Sequence, residues 1–170
     1  ATGFGTVKKT PLEAFSRQRS VGLRAIELDE GDVLIGTAIT NGENDILLLT
    51  SAGKAARFAE KDVRAMGRTA RGVRGIRMDE GQRAIAMIIP QEGGCVIAMA
   101  MSERNGPLVG AVQVFEGDDL MLISDQGTLV RTRTDEVSIL SRNTQGVRVI
   151  RLKEDEHLVG VQRVDEEDEE

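Results

Sequence analysis

The sequence repeats itself along its length, and this feature limits the folds open to the chain more than any other. Residues 45–80 align with residues 119–154 over 36 positions without a gap, and glycines, arginines and aliphatic residues coincide at many of them. Residues 22–35 align in the same way with residues 72–85. The repeat is therefore about 50 residues long.

Each repeat consists of short aliphatic or β-branched runs separated by glycine-containing turns. Residues 46–49, 83–89, 120–123 and 147–152 are runs of strand length, and no stretch shows sustained helical periodicity. The pattern predicts an all-β domain. Copies of about four strands each favour a β-propeller-like array, in which every blade packs its face on its neighbours.

The repeats divide the chain into four blades and a tail. We place them at residues 1–42, 43–91, 92–116 and 117–164, with an acidic tail at 165–170. The third blade is incomplete, since one recurring strand advances in steps of 50, 24 and 50, which leaves about 26 residues missing near position 100. Either they are deleted or the printed sequence omits them. We favour omission, because losing half a blade would expose a sheet edge and a core face.

The composition excludes several kinds of site. The single cysteine, Cys95, allows no intramolecular disulfide or cysteine metal cluster, and the single histidine, His157, allows no histidine zinc site. With no Tyr or Trp and four Phe, the chain lacks a tyrosine nucleophile and most platforms for stacking single-stranded nucleic acid. We therefore expect no catalytic residue, metal or cofactor in this chain.

The acidity of the chain is confined to its tail. Lys and Arg total 22 against 28 Asp and Glu, and residues 165–170 are all acidic, so the rest of the chain is formally neutral. Such a tail is typical of a disordered, solubilising end. The apolar runs are too short to span a bilayer, so we expect a cytoplasmic protein with no membrane partner.

Basic residues recur at equivalent positions of the blades. One column, Lys9, Arg57 and Arg131, follows a turn glycine, and we expect it to face a ligand because no acidic partner is evident. On a radial array, equivalent positions form a ring of positive charge. The candidate contacts are Lys8, Lys9, Arg17, Arg19, Lys54, Arg57, Lys61, Arg64, Arg68, Arg71, Arg131, Arg133 and Arg142.

A second column consists of Arg24, Arg74 and Arg148. These arginines precede acidic turns, so pairing within each blade and contact with a ligand both remain open.

Two smaller expectations concern one cysteine and one short segment. We expect Cys95 to be a buried small hydrophobe, and residues 72–75, Gly-Val-Arg-Gly, to begin a strand where two backbones approach closely.

A track of positive charge favours a polyanion contacted through its backbone. Because stacking platforms and a basic recognition helix are lacking, we expect duplex DNA bound through its phosphates, with little sequence specificity. A curved array of blades would gain phosphate contacts along a bent duplex, and these contacts would offset the cost of bending. A protein-interaction propeller with a charged rim is the alternative from another class.

Four stretches carry a specific resemblance: GTVKKT (5–10), VRAMGRTARGVRGIRM (63–78), NGPLVGAVQV (105–114) and GTLVRTRTDEVSILSRNTQGV (127–147). With the acidic tail, they resemble the C-terminal domain of bacterial DNA gyrase A, part of a type IIA topoisomerase. The resemblance implies a six-bladed β-pinwheel, of which this chain holds the last four blades, and an outer rim that wraps DNA. The family's glycine-rich basic box, QRRGGKG, is absent here, which implies weaker wrapping.

The same resemblance implies a setting and partners. The chain would act in the bacterial cytoplasm, associated with the nucleoid, together with the remainder of gyrase A and with gyrase B. It would support negative supercoiling while the DNA-cleaving tyrosine and the ATP site lie elsewhere. The acidic tail would compete with DNA for the basic rim. The related domain of topoisomerase IV is the nearest alternative.

Overall fold

A computed structural model describes residues 1–17, 20–100, 107–140 and 146–165. The candidate contacts Arg19 and Arg142 lie outside the described residues, as do residues 166–170 of the tail. The predicted all-β class is confirmed, since the described elements are ten short strands and three 3₁₀ turns. The chain divides into two compact units, residues 1–90 (unit 1) and residues 91–170 (unit 2).

Unit 1 is built on one three-stranded antiparallel sheet. Its central strand carries the apolar run that the sequence predicts, and Leu48 on that strand is fully buried. The centre, β2, pairs with β3 on one edge and β5 on the other. The strands of the unit are β1 (Thr6–Val7), β2 (Asp45–Thr50), β3 (Ala55–Ala59), β4 (Val73–Arg74) and β5 (Ala84–Ile88).

The two shortest strands of unit 1 join successive repeats. β4 belongs to the second repeat but pairs antiparallel with β1 of the first. A Cβ on Gly75 would lie 2.7 Å from Val7 Cγ1, and one on Gly72, whose φ is 116°, would lie 2.6 Å from the Val7 carbonyl oxygen, so only glycine fits. The close approach predicted for residues 72–75 is confirmed. The four-stranded blade expected here is instead a three-stranded sheet whose fourth strand pairs with the preceding repeat.

One hairpin turn occurs three times and explains the recurring glycines. In each copy, a buried Thr or Ser donates its backbone N–H to the carbonyl four residues on, at 2.9 Å, and its hydroxyl accepts the N–H of that same residue. The glycine just before that residue has a φ between 78° and 82°, where other residues are strained. The copies begin at Thr2, Thr50 and Ser124.

Unit 2 repeats the same sheet and adds a smaller one. The sheet centred on β8 has β9 on one edge and β10 on the other, while β6 pairs with β7. Leu122 and Leu158 are buried together with Met99 at the core. The strands are β6 (Cys95–Ala100), β7 (Leu108–Val114), β8 (Asp119–Ser124), β9 (Leu129–Arg133) and β10 (Leu158–Val164).

The strand spacing shows where the third repeat is short. The segment between β2 and β5 covers positions 51–83, and the segment between β8 and β10 covers an equally long stretch, 125–157, but β6 and β7 are separated only by positions 101–107. The shortfall is about 26 residues, as the repeat spacing predicts. Strand β6 has the register of a first strand and β7 that of a last strand, so the shortfall falls in the middle of the repeat. The exact blade boundaries stay a prediction.

The expectation that Cys95 is buried is wrong, because its side chain is exposed. Cys95 begins β6 at the position that Asp45 holds in β2 and Asp119 in β8. In those two sheets a third strand lies beside the aspartate. Among the described residues no strand lies there beside Cys95, and its side chain is therefore exposed.

Candidate functional site

Two of the candidate cations hold parts of unit 1 together. Lys8 Nζ donates hydrogen bonds to the carbonyls of Ala25 and Arg68, and burial, followed by the charge of Arg68, lowers the pKa of Lys8 from its ordinary value. Arg71 reaches Asp29 at 2.7 Å and Glu27 at 3.5 Å. Both cations therefore fasten the loop at residues 67–71 to the extended segment at residues 24–29.

The first basic column is ion-paired, contrary to the expectation that it lacks acidic partners. Arg57 binds Asp45 through Nε and Nη2, each at 2.7 Å, and Arg131 binds Asp119 through Nε within its own sheet. The physical reason is strand register. Asp45 stands opposite Ala59, which places it diagonally from Arg57 on the same face of the sheet. The sequence does contain this signal, as an acid 12 positions before each arginine.

The remaining paired candidates also bind within their own unit. Lys9 Nζ donates to the Glu60 carbonyl at 2.8 Å and lies 3.9 Å from the Glu60 carboxylate. Lys54 Nζ donates to the Arg77 carbonyl at 2.7 Å. Arg133 lies 3.5 Å from Asp135. A phosphate would have to compete with the acids for Lys9 and Arg133.

The second basic column differs from the first in that its arginines have no acidic partner among the described residues. Arg24, Arg74 and Arg148 are exposed, and none forms an ion pair with any residue in the described part of the chain. The acidic turns that follow them in sequence do not reach their guanidinium groups. Of the two interpretations left open by the sequence, pairing within each blade is therefore not observed among these residues.

The densest cluster of cations is residues 61–77, which we call the basic segment. It carries one acid, Asp62, and six cations. Arg71 is ion-paired, while the other five form no ion pair with any described residue. Four of these five side chains are exposed and that of Arg68 is half-buried. The cations are Lys61, Arg64, Arg68, Arg71, Arg74 and Arg77.

The local fold explains why these cations point away from the core. Val63 and Ile76 are buried in the cluster around Leu48, and Met66 and Val73 pack against it. These apolar anchors hold the basic segment on the unit, and the cations between them remain at the surface. Exposed guanidinium groups without acidic partners suit a phosphate, which they bind bidentately.

Other kinds of site find little support in the described residues. No cluster of three or more His, Cys, Asp or Glu side chains there could hold a metal ion. Nor does this part of the chain contain a helix that is long and apolar enough to cross a membrane. Of the unpaired candidates, Arg17 is exposed as well, but it lies outside the basic segment.

Comparison with known proteins identifies the family. A family model described as "DNA gyrase C-terminal domain, beta-propeller" matches residues 1–41, 44–91 and 118–165. The chain belongs to this DNA gyrase C-terminal domain family. Two curated relatives are A subunits of DNA gyrase, 54% identical in Pseudomonas aeruginosa and 46% identical in Escherichia coli, covering 98% and 99% of this chain.

These relatives are much longer than the chain. The chain spans 21% of the Pseudomonas aeruginosa protein and 23% of the Escherichia coli protein, or about a fifth of each. The first alignment runs over 193 positions, whereas the chain has 170 residues. The relative therefore holds residues at 23 or more positions where this chain has none.

Two solved structures share the fold. The C-terminal domain of DNA topoisomerase IV superposes with a TM-score of 0.90, and 98% of this chain covers 61% of that one. The C-terminal domain of DNA gyrase A superposes with a TM-score of 0.83, and 96% of this chain covers 64% of that one. Each is 21% identical to this chain, so both likenesses concern the fold alone. The sequence relatives decide between the two enzymes in favour of gyrase.

Proposed function

We propose that the chain binds duplex DNA and that the basic segment makes the main contacts. The observation that carries this proposal is the set of five cations in residues 61–77 that have no ion pair with any described residue. Such a set has a strong local positive potential, and phosphate contacts account for most nonspecific affinity for DNA. With no Trp or Tyr and four Phe in the chain, base stacking contributes little.

Ten of the thirteen candidate contacts fall into two groups. Lys61, Arg64 and Arg68 of the basic segment contact phosphate directly, together with Arg74 and Arg77, which the sequence-based list does not include. The ion-paired or bridging cations contribute less, because phosphate must displace an existing partner before it binds them. This second group consists of Lys8, Lys9, Lys54, Arg57, Arg71, Arg131 and Arg133.

In the parent enzyme, this binding serves the wrapping of DNA. We propose that the chain forms part of gyrase A in the bacterial cytoplasm and acts with gyrase B. Successive blades would follow a bent duplex and gain phosphate contacts that offset the bending. The wrapped duplex would be presented to the strand-passage site with a fixed hand, so that passage introduces negative supercoils. Family membership supports this role.

Fluorescence anisotropy with a labelled duplex of about 40 base pairs tests the binding step. Wild-type affinity should fall steeply between about 50 and about 200 mM salt, by roughly 10³-fold if six phosphates are contacted. A variant with Lys61, Arg64, Arg74 and Arg77 changed to Gln should bind at least about 100-fold more weakly, with a salt slope smaller by about three to four.

The matched control neutralises three cations that already have acidic partners. Changing Arg57, Arg131 and Arg133 to Gln should lower the affinity less than about fivefold, since these charges are largely compensated in the free protein. Equal losses in the two variants would show that the basic segment is not the main contact. A flat salt response of the wild type would contradict DNA binding and favour a protein-interaction propeller.

A further inference from the structure

One part of the basic segment has no buried anchor of its own. This part is the Arg68 loop (residues 67–71), which lies between the apolar residues Met66 and Val73. None of the side chains in the loop is buried. Apolar burial therefore contributes little to the order of the loop, and polar contacts must offset the conformational entropy that ordering costs. The position of Arg68 depends on those contacts.

Lys8 supplies two of these polar contacts. Its Nζ donates hydrogen bonds to the backbone carbonyls of Ala25 and Arg68. Because both oxygens bind the same nitrogen, they lie within about 6 Å of each other. A lysine ammonium has three N–H donors and no acceptor, so Lys8 has already used most of its donors. Lys8 therefore ties the loop to the segment at residues 24–29, and it does so at Arg68 itself.

The equivalent position in two other repeats is apolar. Counted from the start of the recurring hairpin turn, Lys8 corresponds to Ala56 and Val130. Each of these two residues packs against the hydrophobic core of its own unit. Burial lowers the pKa of Lys8, which means that the surroundings disfavour its charged form. Hydrophobic packing thus does not explain a lysine at this position, whereas its two hydrogen bonds do.

The far end of the Arg68 loop is fastened to the same segment. Arg71 reaches Asp29 at 2.7 Å and Glu27 at 3.5 Å, and the Glu27 N–H donates to the Ala70 carbonyl at 3.5 Å. The loop is therefore held at both ends, with Arg68 at the end that Lys8 holds.

The side chain of Arg68 is the one that this arrangement leaves available. It forms no ion pair with any described residue. Its charge lowers the pKa of Lys8 further, so the two cations are close enough to repel each other. A phosphate bound by Arg68 would relieve this repulsion.

We propose that Lys8 is a positioning residue, which fixes the Arg68 loop so that Arg68 meets a phosphate of the duplex. Lys8 is then not itself a main phosphate contact, and its effect on DNA binding passes through Arg68. This inference rests on the proposed function of the basic segment. Without Lys8, the loop would have to be ordered when DNA binds, and that cost would lower the affinity.

Hydrogen exchange of the DNA-free chain, followed by mass spectrometry, tests the positioning step. Lys8→Met keeps an unbranched side chain but removes both hydrogen bonds, so amides in residues 67–71 should exchange at least about fivefold faster. Exchange in β2 should not change. The matched control is Lys9→Met, which removes a neighbouring cation whose Nζ binds the Glu60 carbonyl and not the loop. This control should leave exchange in the loop as it is in the wild type.

Anisotropy titrations with the duplex of about 40 base pairs test the link to Arg68. Lys8→Met should lower the affinity about threefold in the wild-type background but less than about 1.5-fold in the Arg68→Gln background. The double variant should have a salt slope smaller than that of the wild type by about 0.9, which corresponds to one lost phosphate contact. Lys9→Met should have the same effect in both backgrounds, because it does not act through Arg68.

Several outcomes would overturn the proposal. Unchanged exchange in the loop of Lys8→Met would show that Lys8 does not hold it, and faster exchange throughout unit 1 would show a general loss of stability instead. An equal loss of affinity in both Arg68 backgrounds, with a salt slope smaller by about 1.8 in the double variant, would make Lys8 a direct phosphate contact. A wild type that does not bind the duplex would contradict the proposed function itself, whereas failure of the positioning role alone leaves wild-type binding intact.

Discussion

The basic segment of unit 1 and its counterpart in unit 2 share a pattern of apolar residues but differ in net charge. Residues 61–77 contain six cations and one acid, whereas the equivalent residues 135–151 contain three cations and two acids. The apolar anchors are retained, with Val63 matched by Val137 and Ile76 by Ile150. Val63 and Ile76 are buried, and Val137 and Ile150 are half-buried, so packing retains the apolar positions in both units while the exposed positions are free to take up or lose charge. The difference assigns the positive potential mainly to unit 1.

The largest expected effect tests whether the sheets centred on β2 and β8 contribute equally to stability. Leu48 and Leu122 are both fully buried at matching positions of β2 and β8. Changing either to Ala should lower the free energy of unfolding by about 3 kcal/mol, because each change leaves a cavity in a core. Chemical denaturation followed by circular dichroism measures this loss. Leu129→Ala, at a side chain that is 56% exposed, should cost less than about 1 kcal/mol. Markedly unequal losses at Leu48 and Leu122 would show that the sheets are not equivalent.

The next effect tests whether charge distinguishes the two regions. Arg74 and Arg77 correspond to Arg148 and Arg151 at the same positions of the repeat. The double change of Arg74 and Arg77 to Gln should weaken duplex binding about tenfold, because neighbouring cations hold the phosphate close to them. The double change of Arg148 and Arg151 should weaken it only about twofold. Anisotropy titrations at one salt concentration compare the two. Equal losses would contradict the assignment of binding to unit 1.

A smaller effect concerns the ion pair on β3. Asp45→Asn should raise duplex affinity about two- to threefold, since it releases Arg57 from a half-buried carboxylate that competes with phosphate. The same titration measures it, and a double-mutant cycle with Arg57→Gln provides the control. In the Arg57→Gln background, the gain from Asp45→Asn should shrink. A gain of the same size with and without Arg57 would mean that Asp45 acts on DNA directly and not through the arginine.

A last effect, seen only at acidic pH, concerns another position where the repeats differ in charge. Glu156 corresponds to Gln82, and it accepts hydrogen bonds from the Lys153 N–H at 2.9 Å and from the Ser124 hydroxyl. These bonds, with one from Thr128, lower the pKa of Glu156 from 4.5 to about 2. Because the folded-state pKa is the lower one, Glu156 stabilises the fold above pH 4.5, and that contribution is lost as the pH falls towards 2.

Thermal unfolding at several pH values measures this contribution. The wild type should lose more stability between pH 4.5 and pH 2 than Glu156→Gln, which carries the side chain that unit 1 has at this position. The comparison between the two proteins cancels the other carboxylates, which titrate in both. Parallel pH profiles would show that the hydrogen bonds to Glu156 do not stabilise its charged form.

Several features of the fold could be predicted because they depend on local pattern. The turn glycines, the strand-length runs and the shortfall in the third blade follow from the repeat, since identical turns need glycine at the same place each time. The pairing of β4 with β1 of the preceding repeat was not predictable in the same way. Its residues have strand character, but the identity of the pairing strand depends on contacts between repeats that are far apart in sequence.

The candidate site could be predicted in part. Lys61, Arg64 and Arg68 are cations without ion pairs among the described residues, as a ligand-binding role requires. Arg57 has an acidic partner because antiparallel pairing brings residues 12 positions apart onto one face. For Arg74, acidic turns nearby in sequence left pairing and ligand contact both open, and no described acid reaches it. Arg77 lies in the same basic stretch but was not among the candidate contacts.

By itself, the sequence determined the repeat, the all-β class, the family and the size of the gap in the third blade. These properties depend on the order of residue types along the chain, because local backbone sterics and the pattern of apolar residues determine them. The tertiary structure alone decided which cations are compensated by acids and which strand β4 joins. Such properties depend on pairs of residues that strand pairing brings together. The sequence alone does not give the strand register that sets these pairs.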